Sequence, residues 1–386
     1  MTPRGTERLL RWAEIDTDAV RENVRALRAL LQPDTQVMAM VKSRGYGHGA
    51  ATVARAAADA GATWFGVYTP DEALQLRAGG VEGRILVAGW SPPETMRDVL
   101  AAAVDIAICD VADIGAARDA AAPDAPGRVH LKIDTGLGRL GLQPHMFDAA
   151  AGALRAAAGR LEVTGIFTHF ADPLDVEFTR VQHARFLQAV ERLRPVAPRA
   201  LLHACGSVAT VTMPDMQHDL VRLGIGMYGY LADPLHAPVS LRPVMTLFGR
   251  VVQVKRVAAG EPVGYGRTWF APTDRWIAAV AVGYGQGLPR LLSNSGQLVL
   301  HGRRVPIVGA VSMDQVTVDV TDAQPVEPGD VAMVFGETAG VRLGADEVGS
   351  LSGTISYEVL TGVSDAVPRV TVGRACPDEA SLDAVR

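Results

Sequence analysis

Apolar and polar positions keep one rhythm from about Ala13 to Tyr230 and another beyond Pro243. In the first stretch, short apolar runs at Val37–Val41, Trp64–Val67, Ile85–Ala88, Asp105–Cys109, Val129–Ile133, Thr164–Thr168, Leu201–Ala204 and Leu220–Arg222 read as buried strands. Helical patterns separate most of them, at Asp18–Leu31, Ala50–Ala60, Pro70–Ala78 and Pro92–Ala103. Strands alternating with helices predict parallel βα units. Roughly eight such units are what a closed (β/α)8 barrel requires, with an open doubly wound sheet as the alternative. In the second stretch, Val244–Val257, Trp276–Val282, Gln297–Val311, Gln315–Val320 and Asp330–Phe335 are rich in Val and Ile and bounded by Gly, Pro and Asp turns. No long helical pattern occurs there before Asp346–Leu351, which predicts a domain of antiparallel strands. The division that follows is a barrel over residues 13–243 and a C-terminal β domain over 244–386, with residues 1–12 as candidates to pack on the latter.

Composition narrows the function classes. A chain of 386 residues has ample length for two domains and a large core. The net charge of -5, with no basic block interleaved with aromatics, argues against a nucleic-acid partner. Cys109, Cys205 and Cys376 are odd in number and far apart, which offers no disulfide framework or C-x-x-C pair and suits a reducing cytoplasm. Met1–Trp12 is charged and has no apolar core, so no secretory leader is expected. No apolar run approaches the ~20 residues of a membrane span. None of the nine histidines falls in an H-x-H or H-E-x-x-H spacing, so no metal site is expected.

In a barrel of this kind the chemistry gathers at the carboxyl ends of the strands. Lys42 follows the first apolar run and opens a glycine-rich turn. An ammonium there must be paired, shifted in pKa or used covalently, and a Schiff base is the commonest covalent use. A lysine reaching past the strand end into solvent is the plainer reading. Lys132 and Asp134 lie in and just after the fifth strand, His169 closes the sixth, His203 sits in the seventh and Arg222 ends the eighth. Gly136, Gly138 and Gly141 match a G-x-G-x-x-G dinucleotide fingerprint. Charged Lys132 and Asp134 in and beside the preceding strand fit that motif poorly, as does Glu162 at the start of the next strand instead of its end.

Val41-Lys42 and Tyr46-Gly47-His48-Gly49 resemble the pyridoxal 5'-phosphate (PLP) lysine segment of bacterial alanine racemases, close to V-K-A-N-A-Y-G-H-G. Leu131-Lys132-Ile133-Asp134-Thr135-Gly136-Leu137-Gly138-Arg139 resembles the family's L-K-x-D-T-G-x-G-R. The resemblance implies that Arg139 reaches the cofactor's phenolic oxygen and the substrate carboxylate, braced by Lys132, which is carbamylated in some members. Thr168-His169-Phe170-Ala171 is similar to T-H-F-A, which implies His169 near the pyridine ring. His203-Ala204-Cys205-Gly206-Ser207 is similar to H-A-A-N-S, implying a phosphate contact from Ser207 and support of Arg222 by His203. Val221-Arg222-Leu223-Gly224-Ile225 resembles V-R-P-G-I, with Arg222 facing the pyridine nitrogen and the Gly224 and Ile225 amides cradling phosphate. In the second stretch Tyr265-Gly266, Ser312-Met313-Asp314-Gln315 and Thr354-Ile355-Ser356-Tyr357-Glu358 resemble S-Y-G, C-M-D-Q and T-I-N-Y-E. They imply Tyr265 as second catalytic base, Met313 and Asp314 at the substrate mouth, and Tyr357, with Tyr46, among the cofactor contacts.

Taken together, the resemblance covers nearly the whole chain. It implies a cytoplasmic PLP-dependent racemase that interconverts L- and D-alanine, a peptidoglycan precursor, with Lys42 serving the D-isomer face and Tyr265 the L-isomer face. It further implies a homodimer in which Tyr265, Met313 and Asp314 arrive from the partner subunit. The chain departs from the family at Ser43, Arg44 and Gly45, at Gly206 in place of Asn, at Gln286 in place of Asp and at Ala310 in place of Arg. Val363-Ser364-Asp365-Ala366 also lacks the usual basic residue before Val367-Pro368-Arg369. An altered corridor keeps serine or a broader amino-acid set open as substrates. A PLP carrier protein and a related decarboxylase are the remaining alternatives. The long β stretch speaks against the first, and the want of a cysteine there other than Cys376 against the second.

Overall fold

The computed structural model describes residues 5–231, 238–338 and 340–374. Cys376 lies outside them. Contacts divide the chain into two compact units, one of residues 20–45 and 50–241, the other of residues up to Ala19, Tyr46–Gly49 and residues from Arg242 on.

The first unit is built on eight parallel strands: β2 (Gln36–Met40), β3 (Trp64–Val67), β4 (Arg84–Val87), β5 (Asp105–Ile108), β6 (Gly127–Lys132), β7 (Leu161–Phe167), β8 (Leu201–His203) and β9 (Leu220–Leu223). Their order in the sheet is β8-β7-β6-β5-β4-β3-β2-β9. The two ends of that path meet at a parallel bridge between Gly206 and Arg222, with Asp219 N–H donating to the Leu202 carbonyl at 3.1 Å. This is barrel order, and the doubly wound alternative falls. Strands β3 and β5 are buried at every residue, as expected where helices cover one face and side chains fill the interior. Two of the helices begin at reciprocal capping boxes. Thr69 and Glu72 form a reciprocal capping box at the start of Pro70–Ala78, and Asp110 with Asp113 does so for Val111–Ala120.

The second unit is a mainly antiparallel nine-stranded sheet with a separate two-stranded pair, β11 and β12. Its strands are β1 (Arg11–Asp16), β10 (Met245–Val257), β11 (Pro262–Val263), β12 (Trp269–Phe270), β13 (Arg275–Val280), β14 (Gln297–Leu300), β15 (Arg303–Pro306), β16 (Val316–Asp319), β17 (Val331–Thr338), β18 (Val341–Leu343) and β19 (Arg369–Val372). The main path runs β15-β14-β17-β10-β1-β19. Three elements differ from the sequence reading. β1 pairs antiparallel with β10 and parallel with β19, so residues 13–16 belong to this sheet although the sequence-based boundary set them in the barrel. Trp12, Ala13 and Ile15 are buried here, and that burial is what recruits the segment. Gln297–Val311 is a hairpin instead of one element. It turns at His301-Gly302, both at positive φ, the backbone a two-residue type I′ turn demands. A short helix, Ser356–Thr361, follows Ala345–Leu351 and was not legible as a helix.

Candidate active site

Strand β2 delivers Lys42. Val41 continues the ladder by donating to the Gly66 carbonyl at 2.8 Å, and the chain then leaves the sheet. Ser43, Arg44 and Gly45 all adopt left-handed φ/ψ, near +52 to +64° and +40 to +51°, and Gly45 N–H closes the turn on the Val41 carbonyl at 2.8 Å. A left-handed turn costs about 1–2 kcal/mol for each residue other than glycine, so something must hold it. Glu72 does so in part. Its carboxylate accepts from the Ser43 N–H and from the N–H groups of Tyr68 and Thr69, at 2.8 and 3.2 Å for the last two. The motif Thr69-Pro70-Asp71-Glu72 was readable as a capping box, but its grip on the lysine turn was not.

Strand β6 delivers Lys132, and the loop after it presents Arg139. The Asp134 carboxylate accepts from Gly136 and Gly138 N–H, each at 3.0 Å. Gly136, Gly138 and Gly141 all have positive φ, and a Cβ on Gly141 would fall 2.6 Å from the Asp134 nitrogen. These glycines therefore serve a tight return of the chain, not a dinucleotide. Strands β7, β8 and β9 deliver His169, His203 and Arg222. The buried Arg222 guanidinium donates to the carbonyls of His203 (3.0 Å), Thr168 (2.8 Å) and Ala204 (2.8 Å) and lies 3.0 Å from His203 Nδ1 and 3.1 Å from His169 Nδ1.

Lys42, Lys132, Arg139, His169 and Arg222 line one cleft of about 380 Å³ in this unit. Glu72 is the single carboxylate among its lining residues, against four cations. Phe167 forms an apolar wall, backed by Ala107 and Cys109. Burial lowers the Lys42 pKa, helped by Arg139 and Arg222 and opposed by Glu72. The amine is thereby made a better nucleophile near neutrality. Burial, then the surrounding cations, pushes His169 down to about 3, so its ring is neutral. Burial likewise lowers Arg222 to about 10, which still leaves it a cation at neutral pH. An amine of reduced basicity, guanidinium donors and a flat apolar wall fit an anionic aromatic aldehyde such as PLP.

Burial lowers Lys132 to about 8, opposed by Cys109 and aided by Arg139, Arg222 and Lys42. An unfolded chain holds that proton until about pH 10.4. Between those values the folded protein has released a proton that the unfolded chain keeps, so stability contributed by this site rises with pH. Denaturant unfolding at pH 7.5 and pH 10 should show the stability of the wild type rising relative to that of Lys132→Met.

Ser207 Oγ accepts from Gly224 N–H at 2.8 Å and from Gly226 N–H at 3.1 Å. The Gly224 amide, expected from the sequence to face a phosphate, is thus directed to Ser207, because the serine at the start of Ser207–Thr212 sits directly over the turn. Ile225 begins the turn Ile225–Tyr228. Gly206 has an extended backbone that any residue could adopt, and a Cβ there would make only an ordinary 3.6 Å contact with His169. Its effect is to leave room beside that ring.

The other expected residues belong to the second unit. Tyr46 is buried, and its ring lies 6.0 Å from that of Tyr357. Burial, with Tyr357 adding to it, raises the Tyr46 pKa. Tyr265 is 76% exposed in a short turn entered through Gly264 at positive φ, and Met313 is exposed as well. Asp314 accepts from Gln286 Nε2 at 3.0 Å and lies 3.9 Å from Arg11. Gln286 is buried and also accepts from Gly283 N–H, so the departure from aspartate puts a neutral amide beside Asp314 and avoids a second carboxylate there.

Comparison with known proteins identifies the family of the chain. Residues 15–232 match the family model for the alanine racemase N-terminal domain and residues 244–371 that for the C-terminal domain. An alanine racemase from Desulfosudis oleivorans is 42% identical over 376 residues, covering 93% of this chain and 96% of that protein. The crystal structure of alanine racemase from D-cycloserine-producing Streptomyces lavendulae superposes with a TM-score of 0.89 at 38% identity, over 97% of this chain and 99% of that one. That of the Bartonella henselae alanine racemase, with covalently bound pyridoxal phosphate, gives 0.82 at 27% identity, over 94% and 99%. Among the described residues, no helix is long and apolar enough to cross a membrane.

Proposed function

Because the chain belongs to the alanine racemase family, isomerases that interconvert L- and D-alanine, we propose that Lys42 and Tyr265 are its two catalytic bases and PLP its cofactor. The observation that carries this reading is the convergence of Lys42, Lys132, Arg139, His169 and Arg222 on one cation-rich cleft at the carboxyl ends of the strands. Matches spanning both domains set aside the carrier-protein and decarboxylase readings. When bound, PLP supplies the electron sink that makes the substrate Cα–H acidic.

The chain's own groups do the rest. Lys42 would hold the cofactor and handle the α-proton on the D-isomer face, its amine made less basic by burial. Arg139 would fix the substrate carboxylate with its planar fork of donors, and Lys132 would brace it. Ser207, Ile225 and Tyr357 are the proposed phosphate contacts, with Gly224 acting through Ser207, and Tyr46 is a further proposed cofactor contact. Arg222 has donors only and would face the ring nitrogen, which keeps that nitrogen unprotonated and tempers the electron sink. Rapid return of the proton is favoured over transamination.

Inversion needs a second base opposite Lys42. Tyr265 and Met313 are strongly exposed on their own unit, as are Phe270 and Ile355, an apolar set suited to meeting a second copy. The reading is therefore a homodimer whose copies lend each other Tyr265, Met313 and Asp314, made and used in the cytoplasm. Mixing inactive Lys42→Ala chains with inactive Tyr265→Phe chains tests it. Refolded together they should regain about a quarter of wild-type activity, since about half the dimers are mixed and each has one intact site. A mixture as inactive as its parts would refute sharing.

A further inference from the structure

Behind Arg222 the barrel interior holds a continuous row of buried polar groups. Arg222 Nη1 lies 3.0 Å from His203 Nδ1, and His203 in turn lies 3.0 Å from His130 Nδ1 through its Nε2. His130 Nε2 is 3.3 Å from Asp105 Oδ2. The side chains of both histidines and of Asp105 are fully buried. Asp105 is anchored at the far end by Arg84 (2.5 Å), Arg128 (3.0 Å) and the Thr164 hydroxyl (2.7 Å). The row thus spans the barrel from β5 through β6 and β8 to β9.

The proton positions along this row follow from chemistry. A guanidinium donates and cannot accept, so His203 Nδ1 must be the acceptor. His203 then carries its proton on Nε2 and donates it to His130 Nδ1. His130 in turn carries its proton on Nε2, which faces the Asp105 carboxylate. Every hydrogen in the row, that on Arg222 included, points toward Asp105. Reversing either imidazole sets two donors face to face in a dry interior, where an unmatched polar contact is costly.

We propose that His130, anchored by Asp105, is a positioning residue for the racemase reaction: by accepting the His203 Nε2 proton it holds that ring against Arg222 and thereby sets the direction in which Arg222 presents its donors to the cleft. This rests on the assignment of Arg222 to the cofactor ring nitrogen. Neither His130 nor Asp105 touches the cleft, so they act only through Arg222.

The test begins with the ligand-free wild-type protein labelled with 15N at histidine. NMR should show His203 and His130 neutral with the proton on Nε2. A proton on Nδ1 of either ring would overturn the proposal without bearing on PLP chemistry. Conversely, a protein with the expected tautomers that gains no visible band with PLP would sink the functional reading and leave the row intact. Substitution His130→Phe keeps a ring among Trp64 and Phe167 but removes the acceptor. It leaves the His203 Nε2–H without an acceptor, so the His203 Nε2 resonance should shift and kcat should fall about tenfold with KM for alanine little changed. His130→Asn places an amide oxygen near the lost Nδ1 and should restore both the His203 Nε2 resonance and most of kcat. Equal behaviour of the two variants would show that bulk, not acceptance of the His203 proton, is what matters.

Discussion

Lys42→Ala is expected to abolish turnover in both directions, by a factor of ~10⁴ or more, and to leave the purified chain without the visible band that PLP gains on a lysine. Two roles vanish together, the covalent anchor and the base on one face. Lys42→Arg should be nearly as inactive although it keeps the charge, because a guanidinium does not give up its proton at working pH. The loss is chemical, since Lys42 lies beyond the end of β2 and the turn is held by backbone groups of Ser43 and Gly45. Absorption spectra with PLP, read beside circular dichroism, check this. A normal visible band in Lys42→Ala would remove the lysine assignment.

Tyr265→Phe carries the second-largest expected effect. Inversion should fall by roughly 10²–10⁴, the usual worth of a positioned base, while the visible band of the PLP-loaded protein stays as in the wild type. Because the phenol is mostly exposed on its own unit, its loss should change stability by no more than about 0.5 kcal/mol. Steady-state rates in both directions, with a thermal melt as control, separate the chemical loss from any structural one. Wild-type rates in that variant would assign the second base elsewhere.

Much of the fold and of the cleft is legible in the sequence. The alternation of apolar runs and helical patterns predicts eight βα units, because fully buried parallel strands are written as unbroken apolar runs. The residues at strand ends predict the cleft for the same topological reason. β1 was not legible as part of the β domain, because its partners β10 and β19 lie more than two hundred residues away and pairing at that distance leaves no local signature. Glu72 escaped as a site residue since its carboxylate acts on the backbone of Ser43, and a capping motif announces only the helix it caps. His130 and Asp105 read as ordinary strand residues; only the packing of four strands sets them in line with Arg222. The Gly224 amide shows the converse, a sequence match whose local geometry sends the group to Ser207.

Deuterium exchange in D₂O with PLP-loaded Tyr265→Phe most directly tests whether two side chains work opposite faces of the stereocentre. With Lys42 intact and the opposite base gone, D-alanine should take up α-deuterium without inverting, while L-alanine keeps its α-proton. Equal exchange into both enantiomers, or inversion at the wild-type rate, would contradict the account.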